Sequence, residues 1–128
     1  MAENILKLVM PNNIGTAQTF TRGTTLLKQG CYDPVLYILE WGAVEVTKDD
    51  VPLAVISQPG SIFGDLSALL DIPHTASVRT VEDSSFRVIP QANVAFRSSP
   101  RLTLFIAQQL ARRFIGLDNA AHESRPMI

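Results

Sequence analysis

Short apolar runs separated by turn-forming residues occupy the middle of this chain and restrict its fold more than any other feature. From Thr24 onward the runs are interrupted by glycine, proline or paired aspartates, at Gly30, Pro34, Gly42, Asp49, Asp50, Pro52, Pro59, Gly60 and Pro73. The runs are short and rich in Val, Ile, Leu or Thr, which is typical of β-strands. The sequence therefore predicts strands over residues 25–28, 36–40, 43–47, 53–57, 75–81 and 85–89, with a polar hairpin tip at Lys48, Asp49 and Asp50.

The spacing of the apolar residues changes near Pro100. Ser99 and Pro100 are residue types favoured at the cap and at the first position of a helix. Apolar residues then recur every three or four positions, at Leu102, Phe105, Ile106, Leu110, Phe114 and Leu117. We predict a helix from about 100 to 121, preceded by a short helix over 92–97. A second apolar line, at Leu104, Ala107, Ala111 and Ile115, widens the stripe enough for a groove of the same domain or for a second partner.

The composition excludes several classes of function. The chain has 128 residues, the usual size of one domain, and Lys and Arg (11) nearly balance Asp and Glu (12), so no long-range positive field favours nucleic acid. The apolar stretch near the N-terminus is interrupted by Lys7 and is not a signal peptide, and no run is long enough to cross a membrane. The single cysteine, Cys31, needs no oxidising compartment, so we expect a cytoplasmic protein. Residues 11–23 are expected to be a loosely ordered approach to the fold.

The segment from Gln58 to Arg79 is the most informative part of the chain. It contains a tight turn, a loop centred on Gly64, about two turns of helix and then a strand. Glycine has no Cβ and lets another group approach the backbone closely, and the first turn of a helix presents unpaired N–H groups. The segment therefore has the features of an anion cradle.

The order of motifs along the chain resembles that of the cyclic-nucleotide-binding domain. The matching residues are Phe20, Gly23, Leu26 and Gly30, then Leu36, Tyr37, Ile38, Gly42, Val44 and Val46, then Gly60, Phe63, Gly64, Asp65 and Leu66, then Thr75, Ala76 and Val78, and finally the segment from Gln109 to Arg113. This domain occurs in bacterial catabolite-activator-type (Crp/Fnr-like) regulators and in kinase and channel regulatory domains. The resemblance spans roughly residues 20–119 and implies one mostly β domain over 1–128. In that domain a jelly-roll-like β-roll (double-stranded β-helix), at about 17–90, precedes the C-terminal helix.

The resemblance also implies a regulatory ligand-binding module whose ligand is cAMP, cGMP or another small anion. The expected ligand-binding residues are Ile62, Phe63, Gly64, Asp65, Leu66, His74, Thr75 and Ala76. The family places glutamate at Asp65, for the ribose hydroxyl, and arginine at His74, for the phosphate. Asp65 keeps an acceptor, whereas a histidine is mostly neutral at pH 7. We therefore expect either an atypical pocket whose affinity rises as the pH falls through about 6.5, or a vestigial one.

Competing classes find less support in the residues. An enzyme with a barrel-bound metal needs clustered ligands, but the chain has only two histidines, His74 and His122, so we expect no metal and no cofactor. Only seven residues follow Ala121, too few for a helix-turn-helix, so we expect no DNA reading unless the chain is the sensor part of a longer regulator. A homodimer is the remaining class, with a predicted seam of Leu102, Ile106, Leu110, Phe114 and Leu117 on the C-terminal helix.

Overall fold

Two four-stranded antiparallel sheets form a β-roll in the computed structural model, which describes residues 15–115. The strands are β1 (Thr16–Phe20), β2 (Thr25–Leu27), β3 (Leu36–Trp41), β4 (Val44–Lys48), β5 (Val51–Ile56), β6 (Ile62–Phe63), β7 (Ser77–Thr80) and β8 (Ser84–Ile89). The helices are α1 (Asp65–Leu70), α2 (Ala92–Ser98) and α3 (Pro100–Ile115). The strand order is β1-β8-β3-β6 in the first sheet and β2-β7-β4-β5 in the second. The predicted fold class is confirmed.

The first strand corrects the sequence-based prediction, which left residues 11–23 loosely ordered. β1 pairs with β8 from Thr16 opposite Val88 to Phe20 opposite Ser84. Its side chains are exposed except for the half-buried Phe20. Strand formation here comes from backbone pairing with β8 and not from an apolar face, so the amino-acid pattern carried no signal of it.

The hairpin between β4 and β5 has its predicted polar tip. Asp49 and Asp50 both adopt left-handed backbone conformations, with φ of 52° and 62°. Left-handed geometry at both central residues matches the twist of the two flanking strands. β5 forms one edge of its sheet, and Pro52 is tolerated there because no further strand needs its backbone donor.

Two hydrophobic cores share the first sheet. Successive side chains of a strand point to opposite faces, so Leu36 and Ile38 of β3 pack under the helices while Leu39 packs inside the roll. The roll core is centred on Phe63 and Phe86, whose rings meet edge to face at 6.3 Å. The second core is formed by residues of β3, β6 and β8 together with the helices, namely Leu36, Ile38, Ile62, Ala68, Ile89, Ala92, Leu102, Phe105 and Ile106.

Helix α3 presents one face to this second core and the other to solvent. Leu102 and Ile106 are 0% and 1% exposed, and Leu110 is half-buried against the same cluster. The predicted dimer seam is therefore wrong at these positions, because they complete the chain's own core. Phe114 of the seam is 88% exposed, while Leu117 and the predicted helix end near 121 lie outside the described residues. Within residues 15–115 no helix is long and apolar enough to span a bilayer.

Candidate ligand-binding site

The cassette, defined here as residues 62–76, leaves the first sheet through β6, makes the short helix α1 and returns toward β7. Ile62 and Phe63 begin it, and both side chains are fully buried, Ile62 under the helices and Phe63 inside the roll. Their side chains are structural, so any contact they make with a ligand comes from the backbone. At the other end Ala76 is buried in the roll core, while Leu66 and Thr75 are partly exposed.

Gly64 turns the chain from β6 into α1. Its φ of 92° is in the left-handed region, and it caps α1 with its carbonyl accepting from the N–H of Ala68 at 3.1 Å. A Cβ at this position would collide with the carbonyl oxygen of Val35. Both the backbone angle and the close approach of the Val35 carbonyl therefore require glycine here.

Asp65 is fully buried and faces a cation from α3. An Nη1 atom of Arg113 lies 3.5 Å from Oδ2 of Asp65, and its Nη2 donates to the carbonyl of Ile62 at 3.1 Å. Burial raises the pKa of Asp65, and the Arg113 guanidinium partly opposes this rise. The last turn of α3 is thus joined to the start of the cassette by one arginine side chain.

Arg113 was missed as a site residue in the sequence-based reasoning. A signal was present, since Arg113 lies eleven residues after Leu102, which is three helical turns along the same face. A charged residue on an otherwise core-facing stripe indicates a buried partner. The identity of that partner depends on a contact between residues 48 positions apart in the chain, and one sequence does not supply it.

His74 lies at the far end of the cassette and is 4% exposed. Its backbone pairs with the segment before β3, where its N–H donates to the carbonyl of Cys31 and its carbonyl accepts from the N–H of Gly30, both at 2.9 Å. Among residues 15–115 neither ring nitrogen has a hydrogen-bond partner. Burial lowers the pKa of His74, and the nearby Asp33 carboxylate opposes this in part. The expected titration near pH 6.5 is therefore displaced to lower pH in the ligand-free domain.

The loop over residues 28–35, called the cover loop here, contacts the cassette at three places. Val35 at its end meets Gly64, Gly30 and Cys31 pair with His74, and the Tyr32 hydroxyl donates to Oδ1 of Asp71 at 2.5 Å. Asp71 ends α1 in a left-handed conformation, with φ of 61°. The cover loop therefore encloses the buried side of the cassette from one end to the other.

The other candidate side chains lie away from the cassette or do not group with further functional side chains. Arg79 is exposed on β7 and pairs with Glu45 at 3.7 Å, on the outer face of the roll as strand alternation predicted. Cys31 is exposed in a loop. Within the described part of the chain no three His, Cys, Asp or Glu side chains are grouped in a way that could hold a metal ion.

Comparison with known proteins decides the family. The sequence profile of the cyclic nucleotide-binding domain matches residues 17–96, which run from β1 into α2 and include the whole cassette. The chain belongs to the cyclic nucleotide-binding domain family. It is a regulatory ligand-binding module of that family, similar to the sensor domains of cyclic-nucleotide-dependent kinases.

Three relatives illustrate how widely this cyclic nucleotide-binding domain is distributed. The chain is 38% identical over 76 residues to a cGMP-dependent protein kinase of Plasmodium berghei (strain Anka), covering 59% of this chain and 9% of the kinase. It is 29% identical over 136 aligned positions to a cyclic nucleotide-gated channel of Caenorhabditis elegans, covering 98% of this chain and 17% of the channel. The catabolite activator protein of Thermus thermophilus shares the fold with a TM-score of 0.65 at 23% identity, covering 91% of this chain and 55% of that one. The chain thus spans less than a fifth of the length of either curated relative.

Proposed function

We propose that this domain binds a cyclic nucleotide, cAMP or cGMP, in the cassette and acts as a non-catalytic sensor. The observation that carries the proposal is the pair of buried polar side chains at opposite ends of the cassette, Asp65 and His74, in a chain whose family binds such ligands. Buried polar groups are normally satisfied, so the His74 ring, which has no partner among residues 15–115, and the long 3.5 Å contact of Asp65 with Arg113 support a polar ligand. A cytoplasmic location fits a domain with one exposed, unpaired cysteine.

The residue roles follow from position. The Asp65 carboxylate is the acceptor for a ribose hydroxyl, and the 3.5 Å separation from Arg113 is longer than a good hydrogen bond, which leaves acceptor capacity for the ligand. At Gly64 the Val35 carbonyl already fills the space that a Cβ would take, and the resemblance to the family assigns the phosphate donor to His74. Thr75, which is partly exposed beside His74, adds a hydroxyl on the open side.

Titration calorimetry and thermal melting with cAMP and cGMP test this proposal. We expect saturable heat and a higher melting temperature, since a ligand that binds only the folded state adds about 2.7 kcal/mol at one hundred times its dissociation constant. Asp65→Asn should weaken binding by at least tenfold, because an amide presents one acceptor oxygen and no charge. Asp50→Asn, at the exposed hairpin tip, makes the same chemical change far from the cassette and should bind as the wild type does. No heat and no shift with either nucleotide at millimolar concentration, at pH 6 and at pH 7.5, would contradict the proposal.

Self-association through α3 is a second candidate function, favoured by the outer face of that helix. Leu104, Phe114 and Ile115 are 59%, 88% and 60% exposed, and Ala107 and Ala111 lie between them on the same face. Large apolar side chains in line on one helix face are typical of a helix-pairing surface. This outer line replaces the predicted seam, whose buried members are unavailable to a partner.

Light scattering over a range of protein concentrations checks the second candidate. We expect the wild type to form a dimer as its concentration rises and Phe114→Glu to remain monomeric. The melting temperature of this variant should equal that of the dissociated wild type. Arg112→Glu introduces the same side chain on the flank of the helix and should leave the dimer intact. A wild type that remains monomeric at about 100 µM would exclude this candidate.

A further inference from the structure

The burial of His74 in the ligand-free cassette lowers the stability of the folded domain. Its imidazole is buried, and neither ring nitrogen has a partner among the described residues. A neutral imidazole has one donor and one acceptor nitrogen, and burying either without a partner costs stability. A ligand that accepts a hydrogen bond from this ring relieves part of that cost.

The charged groups around His74 do not by themselves favour an anion. The cover loop carries the titratable residues Lys28, Cys31, Tyr32 and Asp33, of which Asp33 acts on the ring by its charge. The two other carboxylates of the cassette have their own partners, since Asp65 pairs with Arg113 and Asp71 accepts from the Tyr32 hydroxyl. Of the cations, Arg113 is engaged by Asp65 and by the carbonyl of Ile62, and Arg79 points outward to Glu45. An anionic ligand at the His74 ring therefore meets the Asp33 carboxylate and a neutral imidazole, unless positive charge is added with it.

We propose that the cassette takes up a proton on His74 together with its anionic ligand, so that the domain responds jointly to a cyclic nucleotide and to pH. This inference rests on the proposed function and specifies how the same site is regulated. The imidazolium that results donates from a ring nitrogen to a phosphate oxygen, as a charge-assisted hydrogen bond. A permanently charged arginine at this position would bind the phosphate without any such proton.

The direction of the pH dependence follows from linkage. In the empty site His74 is neutral at pH 7, since burial lowers its pKa below the ordinary 6.5. The bound phosphate raises the pKa of the same ring, so between the two values the complex holds one proton more than the free domain. Affinity then rises about tenfold for each unit by which the pH falls within that interval. A cyclic phosphodiester keeps a single negative charge throughout, so the ligand itself contributes no titration.

Calorimetry in two buffers measures this proton directly. Binding of cAMP and cGMP would be followed at pH 6.5 in MES and in bis-Tris, whose ionisation enthalpies differ, and affinity would be followed from pH 5.5 to 8. We expect the observed heat to depend on the buffer with uptake of a fraction of a proton up to one. His74→Gln should bind at least tenfold more weakly at pH 5.5 and show no uptake. His74→Arg should bind at least as tightly as the wild type, with affinity independent of pH and no uptake.

Control variants separate the proposed group from the alternatives. His122 is the other histidine of the chain, and His122→Gln should retain the full buffer dependence. Arg113→Lys keeps a cation beside Asp65 and should retain proton uptake whatever its effect on affinity. Melting temperatures of all variants, measured without ligand, exclude loss of folding as the cause.

The outcomes distinguish this inference from the proposed function. Absence of binding by the wild type and by His74→Arg at every pH contradicts the proposed function itself. Wild-type binding with buffer-independent heat and constant affinity from pH 5.5 to 8 overturns the proton uptake while the function stands. Binding by His74→Arg alone, with none by the wild type at any pH, contradicts both the proposed function and the proton uptake, because the natural ring would then fail to acquire the proton.

Discussion

Asp65 shows how a single residue connects stability to the site. Its carboxylate is 0% exposed, and Arg113 compensates its charge across an ion pair in which the arginine side chain is 10% exposed. Taking a charge out of water is expensive, and a buried pair is most sensitive to the removal of one member. The arginine can recover hydration at the surface, whereas the carboxylate cannot.

Removal of Arg113 should therefore cost more than neutralisation of Asp65. We expect Arg113→Met to lower the free energy of unfolding by about 3 kcal/mol at pH 7, because it strands a buried charge. Asp65→Asn should cost less, and the double variant should cost less than the sum of the two. Urea denaturation of all four proteins completes this cycle, and strictly additive effects would show that the two groups do not interact.

The loss of stability in Arg113→Met should depend on pH in a definite direction. Burial raises the pKa of Asp65 in the folded state above its unfolded value, and loss of Arg113 raises it further. A group with a raised folded pKa binds more protons when folded, so stability increases as the pH falls through the folded pKa toward the lower unfolded pKa. The free energy of unfolding that Arg113→Met loses relative to the wild type should thus be smaller at pH 5 than at pH 7. An equal or larger loss at pH 5 would exclude Asp65 as its source.

At the scale of elements, the sequence correctly predicted the strands and helices whose formation depends on side-chain packing or on turn residues. The strands corresponding to β3, β4 and β8 have buried apolar residues, and the short helices corresponding to α1 and α2 follow turn residues, so local patterns identified them. β1 and the two-residue β6 escaped detection because they form by pairing with distant strands. Helix α3 was predicted, but the line through Leu102 and Ile106 was offered as a dimer seam, whereas it packs in the core of the same chain.

The assignment of the two lines on α3 depends on the orientation of the helix. Both apolar lines have a spacing that is compatible with a packed helix face, one through Leu102 and Ile106 and the other through Leu104 and Ala111. The residue types make the first line only slightly more hydrophobic than the second. Their rotation about the helix axis is fixed by contacts with Ile38, Ile62 and Ile89 on the sheet. The proposed ligand-binding residues are a similar case, since the resemblance placed Asp65 and His74 in the cassette but not Arg113 beside it.

In the whole molecule, the first sheet is a wall shared by two cores. Its inner face closes the roll around Phe63 and Phe86, and its outer face supports the helices through Leu36 and Ile38. Arg113 adds a polar connection between the last turn of α3 and the cassette. A ligand at the cassette therefore acts on the roll and on the helices together.

Hydrogen exchange followed residue by residue tests this connection. Without ligand we expect the slowest amide exchange in β3 and β8, which are paired on both sides, and faster exchange in the last turn of α3. Saturating cAMP or cGMP should slow exchange in the cassette and also in the last turn of α3, and Arg113→Met should abolish only the second effect. Slowing confined to the cassette in the wild type would show that the arginine does not transmit ligand occupancy.

The adjacent pair Ile62 and Phe63 has a mechanical consequence. Two neighbouring side chains of one short strand are locked into opposite cores, so the first residues of the cassette cannot shift without opening both. The end of α1 is held differently, by the exposed hydrogen bond from Tyr32 to Asp71, which water can replace at little cost. The cassette is thus fixed at its start, through Ile62 and Phe63, and near its finish, through His74 and Ala76, so a ligand that reshapes it will move the end of α1 at Asp71 while Gly64 stays in place.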